Sequence, residues 1–147
     1  MKFRIKNRAP KRAARILVMG PPGSNRSRIS RLLAKKYGFV HISTRALVSD
    51  QIARKTEVGR NCLMKLNEGK LGKELQVGVD VISLVEDDII IGLVHNRTNK
   101  TDCLTHGFVL DGFPKNVEQT SMIEHMQIKP SFIVVLQLDE ERIIRRI

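Results

Sequence analysis

The stretch Ile16-Leu17-Val18-Met19-Gly20-Pro21-Pro22-Gly23-Ser24-Asn25-Arg26-Ser27 constrains the fold more than any other part of the chain. A short apolar run ends in a Gly/Pro turn, and an amphipathic pattern with Ile29, Leu32 and Leu33 on one face follows at once. A strand, a tight turn and a helix in that order make the first half of a crossover unit, the connection that parallel sheets require. The turn has the spacing of a phosphate-binding loop, G-x-x-x-x-G-K-[ST], with Asn25 at the second glycine position and Arg26 at the lysine position. The alternative is a turn that merely joins a strand to a helix.

A phosphate loop works through geometry. Successive backbone N–H groups and the N-terminus of the next helix point at phosphate oxygens, and a cation neutralises the remaining charge. Gly20 and Gly23 keep the turn, and Ser24 lies within it. Asn25 tolerates positive φ better than most residues, which preserves the cradle. Arg26 retains the charge as a planar fork that is bulkier than an ammonium group. Ser27 holds the position whose hydroxyl would meet Mg²⁺.

Four runs rich in Val, Ile, Leu or Phe read as strands: Arg15–Met19, Phe39–Ile42, Phe108–Asp111 and Phe132–Leu138. None alternates strictly, as expected of parallel strands covered on both faces. Helical patterns lie between them. The first ends at Tyr37 with Gly38 as its C-cap. A second occupies Asp88–Val94, and a last one begins after Pro114 and runs through Val117, Ile123 and Met126 toward Pro130. Strands alternating with helices predict an α/β sheet. The region from Thr44 to Thr105 reads as an enlarged helical insert between the second and third strands, in which Glu57-Val58-Gly59-Arg60 and Asn67-Glu68-Gly69-Lys70-Leu71, followed by Leu71-Gly72-Lys73-Glu74 and Ser83-Leu84-Val85, suggest a tandem helix-and-turn unit.

At 147 residues, with 41% hydrophobic and 28% charged residues, the chain fits one globular domain. Its net charge of +11 is uneven: residues 1–49 carry 13 of the 26 basic residues and no acid, leaving +13 there and −2 beyond. Part of that excess is a tail, residues 1–14, read as a solvated or partner-binding extension, with a mitochondrial presequence as the alternative. Part surrounds the loop at Arg26, Arg28, Arg31, Lys35 and Lys36. With no Trp and one Tyr, the composition argues against a stacking platform for nucleic acid. There is no apolar run of about 20 residues to span a membrane. Cys62 and Cys103 read as buried free thiols in a reducing, cytoplasmic compartment. The four histidines, His41, His95, His106 and His125, have no metal-ligand spacing. Glu86-Asp87-Asp88 reads as the acidic start of a helix.

These motifs together resemble the adenylate kinases and related nucleoside monophosphate kinases. Met19-Gly20-Pro21-Pro22-Gly23-Ser24 resembles their phosphate loop, and His41-Ile42-Ser43-Thr44 the segment entering the AMP site. Asp87-Asp88-Ile89-Ile90-Ile91-Gly92-Leu93-Val94 resembles the helix closing that site. Gly107-Phe108-Val109-Leu110-Asp111-Gly112-Phe113-Pro114-Lys115, with Gln119, resembles the family's most specific motif. The fold implied is a three-layer P-loop NTPase domain over residues 15–147, with a parallel sheet of about four strands and an AMP-site insert at about 43–95.

The resemblance also implies roles. Gly20, Gly23, Ser24, Asn25, Arg26 and Ser27 would bind the ATP phosphates. Thr44, Gly112, Lys115 and Gln119 would form the AMP site, Gln119 reading the base. Ser27 and Asp111 would hold Mg²⁺ through water, and Arg26, Lys115 and Arg145 would carry charge during transfer. The reaction implied is transfer of the ATP γ-phosphoryl group to AMP with Mg²⁺. The chain departs from the family where Ser49 replaces an AMP-phosphate arginine, where Lys115 replaces a second, and at Ile147, where the family would enter its lid. Arg45 is placed to substitute for the first. These departures open a second reading, a degenerate nucleotide-binding or structural module in a larger assembly, for example a ciliary one. A nucleic-acid role for the tail is the third.

Overall fold

A computed structural model describes residues 13–71 and 85–138. The basic tail, most of the tandem unit in the insert, and Arg145 lie outside the described residues. The elements run β1 (Arg15–Met19), α1 (Arg26–Tyr37), β2 (Val40–Ser43), α2 (Thr44–Ala53), α3 (Glu57–Leu71), α4 (Asp87–Thr98), α5 (Thr101–His106), β3 (Phe108–Asp111), α6 (Val117–His125) and β4 (Phe132–Val135). All four strands are parallel, in the order β2-β3-β1-β4. No helix among them is long and apolar enough to cross a membrane.

Alternate residues of the central strands face opposite ways, so each strand feeds two cores. Leu17, Phe108 and Leu110 join Ile42, Val48, Cys62, Val94, Phe113 and Ile123 beneath the helices of the insert and α6. Ile16, Val18 and Val109 pack with Ala34 under α1. Burying any one of these larger side chains contributes about 1.5–3 kcal/mol, so the sheet and both helical layers depend on one another. The result is the three-layer α/β architecture expected, with α2, α3, α4 and α5 forming the insert between β2 and β3.

The helix α1 departs from the predicted face. Ser30 and Ala34 are buried, whereas Leu32 is 57% exposed. Small side chains let α1 lie close against the sheet, and apolar bulk is turned outward. Gly38 ends the helix in the left-handed conformation, as expected, its N–H bonded to Ala34 O. The last helix likewise leaves Val117 81% exposed and buries Ile123 with Gln119.

In the insert, Gly59 brings α3 against the end of α2. A Cβ at that position would lie 2.0 Å from Gln51 O, which backbone cannot yield, so only glycine fits. Cys62 and Cys103 are free and buried, as read from the sequence. The strand β4 is shorter than predicted and is covered less: Phe132, Ile133 and Val135 are exposed. It lies at the outer end of the sheet and pairs with β1 alone among the described residues, so the two-sided burial expected of all four strands holds only for the central ones.

Candidate functional site

Gly20 to Ser27 connect the end of β1 to the start of α1. Leu136 N donates to Met19 O at 2.8 Å, bringing the segment after β4 beside the loop. A Cβ on Gly20 would meet Ser24 Oγ at 2.8 Å and Leu136 Cβ at 2.9 Å, so the loop is packed too tightly there for any side chain. Gly23 and Asn25 both adopt positive φ, 78° and 57°. Asn25 thus performs the turn that a glycine performs in the usual pattern, and its carbonyl accepts the first helical bond from Ile29 N at 3.0 Å. Backbone alternating into the left-handed region turns its N–H groups toward a common anion.

Two cavities meet at this loop. One, of about 310 Å³, is lined by Pro21 to Arg28 and Arg31. It has three guanidinium-bearing residues in its wall and no carboxylate. The Ser24 side chain lining it is buried, and its hydroxyl has no hydrogen-bond partner among the described residues. The other, of about 140 Å³, is lined by Arg26, Ser27, Ser43, Thr44, Arg45, Asp111 and Lys115. Arg26 and Ser27 belong to both.

Arg26 does not reach out over the loop. Its Nε donates to Asp111 Oδ1 at 2.7 Å and its Nη1 to Gly20 O at 3.1 Å. The guanidinium is therefore clamped between the C-terminal ends of β1 and β3. Asp111 is only 2% exposed, and its other oxygen faces His41 Nε2 at 3.5 Å. Gly112, at φ 82°, lets the chain turn under this pair: a Cβ there would sit 3.2 Å from Arg26 Nη2 and 3.4 Å from Thr44 Oγ1. One oxygen of the carboxylate is thus held by the guanidinium, while Oδ2, like His41 Nε2, is buried without a hydrogen-bond partner among the described residues, so a hydrated cation reaches the group only by displacing protein atoms. Mg²⁺ holds its waters tightly and is ordinarily bound through one or two carboxylates with the substrate phosphates. Among the described residues Asp111 is the only carboxylate lining either cavity, and with Oδ1 held by Arg26 and Oδ2 buried, the residues as they stand do not fit the ion.

The residues singled out in the sequence divide accordingly. Gly20, Gly23, Ser24, Asn25, Arg26, Ser27, Thr44, Asp111, Gly112 and Lys115 come together around the two cavities. Gln119 does not line either one. It is buried under α6, with its Nε2 donating to Asp87 Oδ1 and its Oε1 accepting from Lys115 N. Ser49 is exposed on α2, while Arg45, one turn earlier, lines the second cavity.

Three residues were not assigned to the site from sequence. His41 comes to it through the register of β2, where Ser43 stands opposite Asp111 and His41 opposite Val109. No local spacing betrays that. Arg28 and Arg31 had a signal that was legible: the first turn of α1 carries cations and no acid, the reverse of what the helix dipole favours, which makes sense when an anion sits there.

The chain matches the family model described as "Adenylate kinase" over residues 18–147. It is 32% identical over 136 residues to an adenylate kinase of Bartonella quintana, covering 90% of this chain and 64% of that protein. It is similar at 31% over 136 residues to one of Methanothrix thermoacetophila, covering 57% of that protein, and at 33% over 133 residues to one of Hamiltonella defensa, covering 55%. The chain therefore spans between about half and two thirds of the length of these relatives. A match over so much of the sequence, on a parallel sheet whose first strand feeds a phosphate-type loop, places this chain in the adenylate kinase family.

Proposed function

We propose that this chain is a nucleotide-binding domain of adenylate kinase type whose reaction is transfer of the γ-phosphoryl group of ATP to AMP, yielding two ADP. The observation that carries this reading is the meeting of the two cationic cavities at Arg26 and Ser27. In the reaction an oxygen of the AMP phosphate attacks the γ-phosphorus, the bond to the β–γ bridging oxygen breaks, and ADP leaves. Such a transfer needs little covalent help from protein and depends on positioning and charge neutralisation.

The residues take their parts from where they stand. Backbone N–H groups of the loop from Gly20 to Ser27, with Ser24 Oγ, receive the ATP phosphates, and Arg26, Arg28 and Arg31 balance their charge. Lys115 and Arg45 face the acceptor phosphate across the smaller cavity, with Thr44 and Gly112 forming its floor. Arg45 takes the place that Ser49 vacates. Gln119 reads the acceptor base only after letting go of Asp87 or of the Lys115 amide, so base selection requires α6 to shift against α4. The family uses Mg²⁺ with ATP, but the engaged Asp111 gives no reason to route a step through it here.

A second reading, nucleotide binding without turnover as a module in a larger assembly, is favoured by one observation. The Arg26–Asp111 pair holds the loop cation away from the space where a γ-phosphoryl group would transfer. In either case residues 15–147 form the nucleotide body, with the acceptor side at about 43–95. The basic character of residues 1–14 supports a role for them in binding a protein partner. The free thiols suit the cytoplasm.

Coupled measurement of ADP formation from ATP and AMP, with calorimetric titration of each nucleotide on the same sample, tests both readings. Turnover supports the first. Binding of ATP with no ADP formed replaces it with the second, and failure of both nucleotides to bind ends both.

A further inference from the structure

We infer that the phosphate site of this chain takes its nucleotide free of divalent metal, the protein's own guanidinium groups supplying the positive charge. This rests on the reading that Gly20 to Ser27 hold nucleotide phosphates, and it specifies the ionic form they hold.

Three observations converge on it. The first is the state of the carboxylate: Asp111 Oδ1 accepts from Arg26 Nε at 2.7 Å, and Oδ2, 3.5 Å from His41 Nε2, is buried without a hydrogen-bond partner among the described residues. A magnesium ion carrying its waters would have to part that pair. Doing so would strip a 2%-exposed carboxylate of its charged partner, which is the costly way to treat a buried ion pair. The guanidinium is held from a second side by Gly20 O at 3.1 Å, so swinging it aside also leaves a loop carbonyl without its donor.

The second observation is the charge of the cavity itself. The larger cavity presents Arg28 and Arg31, besides Arg26 which is paired with Asp111, and no acid in its own wall, and the first turn of α1 adds its positive dipole end with no acidic residue in it. Cations gathered at that end of a helix repel one another and the dipole until an anion arrives. The more negative that anion, the more it relieves. A free triphosphate or diphosphate is more negative than its magnesium complex, so this wall favours the metal-free form.

The third is the unsatisfied hydroxyl of Ser24, a buried atom beside Gly20 in a residue that lines the same cavity. A buried hydroxyl without a partner is unfavourable, and a phosphate oxygen is the acceptor that the surrounding chemistry predicts for it. Metal-ligand recognition thus has one carboxylate, with one oxygen held by Arg26 and the other buried, whereas phosphate recognition has backbone and guanidinium groups.

Calorimetric titration of the full chain with ATP in EDTA and again in excess MgCl₂ decides the matter, with pyrophosphate as the phosphate-only probe. The expected result is binding in EDTA that equals or exceeds that in Mg²⁺, by up to about tenfold, with pyrophosphate following the same order. In Arg26→Lys, whose compact ammonium cannot clamp Asp111 and Gly20 together, the order is expected to reverse, with Mg²⁺ tightening ATP by about tenfold or more. Tighter binding of ATP to the unaltered chain in Mg²⁺ than in EDTA, by about tenfold, overturns the inference and leaves the nucleotide site standing. Absence of binding of either probe in both buffers overturns the inference together with the nucleotide reading on which it rests.

Discussion

Gln119 and Asp87 join α6 to α4: the Gln119 Nε2 donates to Asp87 Oδ1 at 2.5 Å, while Asn116 Nδ2 donates to Asp87 Oδ2 at 2.9 Å. One carboxylate therefore receives two side chains from the start of α6. Asn116 uses its own oxygen to cap that helix, accepting from Gln119 N at 2.7 Å. The acid cluster at Glu86-Asp87-Asp88 is more than a favourable charge at a helix start, because Asp87 is committed to a neighbouring helix.

Replacing Asp87 with alanine removes both bonds to a charged acceptor. A loss of about 2 kcal/mol in unfolding free energy is expected, read from urea denaturation. A double-mutant cycle with Gln119→Ala should show coupling of about 1 kcal/mol or more. Additive losses would mean that the two side chains do not act on each other in solution.

Arg26→Ala should destabilise the fold by about 3 kcal/mol, because it leaves the Asp111 carboxylate buried without its guanidinium partner. Adding Asp111→Asn in the same chain should recover part of that loss, since a neutral amide needs no counter-charge. If the single variant unfolds at the same urea concentration as the parent, the pair contributes nothing to stability.

Both cysteines are expected to resist alkylation while the chain is folded. Burial pushes the Cys103 thiol up to about 11 and raises that of Cys62 as well, so little of either is thiolate at neutral pH. Iodoacetamide at pH 7.5 should label neither in the native protein and both in guanidinium chloride, counted by intact mass. A raised folded value also means that the neutral Cys103 thiol contributes stability below the ordinary thiol range. That contribution fades as pH climbs toward 11.

Asp102 responds to acid in the opposite sense. The Arg97 guanidinium, bonded to it by Nη1 at 2.9 Å and Nη2 at 2.7 Å, lowers its carboxyl to about 2. A depressed folded value contributes stability above the ordinary carboxylate range, near 4, and the contribution disappears as pH falls through about 2. Comparing melting temperatures of the parent and Asp102→Asn, the parent should be the more stable at pH 6, and the two should converge near pH 2. An equal gap at both values would rule out the carboxylate as its source.

The sequence made the central strands legible because β1 and β3 are buried on both faces and so read as continuous apolar runs. The loop was legible for a similar reason, since only glycine or asparagine suits the backbone at Gly23 and Asn25. What escaped was set by distance along the chain. Nothing local reveals that Asp87 will meet Gln119, that His41 will stand beside Asp111, or that Arg26 will turn back to that carboxylate instead of outward. The inner face of α1 was misjudged by size: Leu32 is the larger apolar residue, yet Ser30 and Ala34 allow the closer approach to the sheet. Arg45, suggested by the sequence as a substitute for the arginine missing at Ser49, lines the smaller cavity.

The placement of β1 between β3 and β4 has a consequence for how the protein is made. The ribosome delivers β1 well before its hydrogen-bonding partners, as the bond from Arg15 N to Ser131 Oγ, spanning 116 residues, illustrates. Until then the nascent chain carries an apolar strand with both edges unpaired, the condition under which strands find wrong partners. Synthesis should therefore pass through a long vulnerable interval in which Leu17 and Val18, both buried in the finished sheet, are exposed.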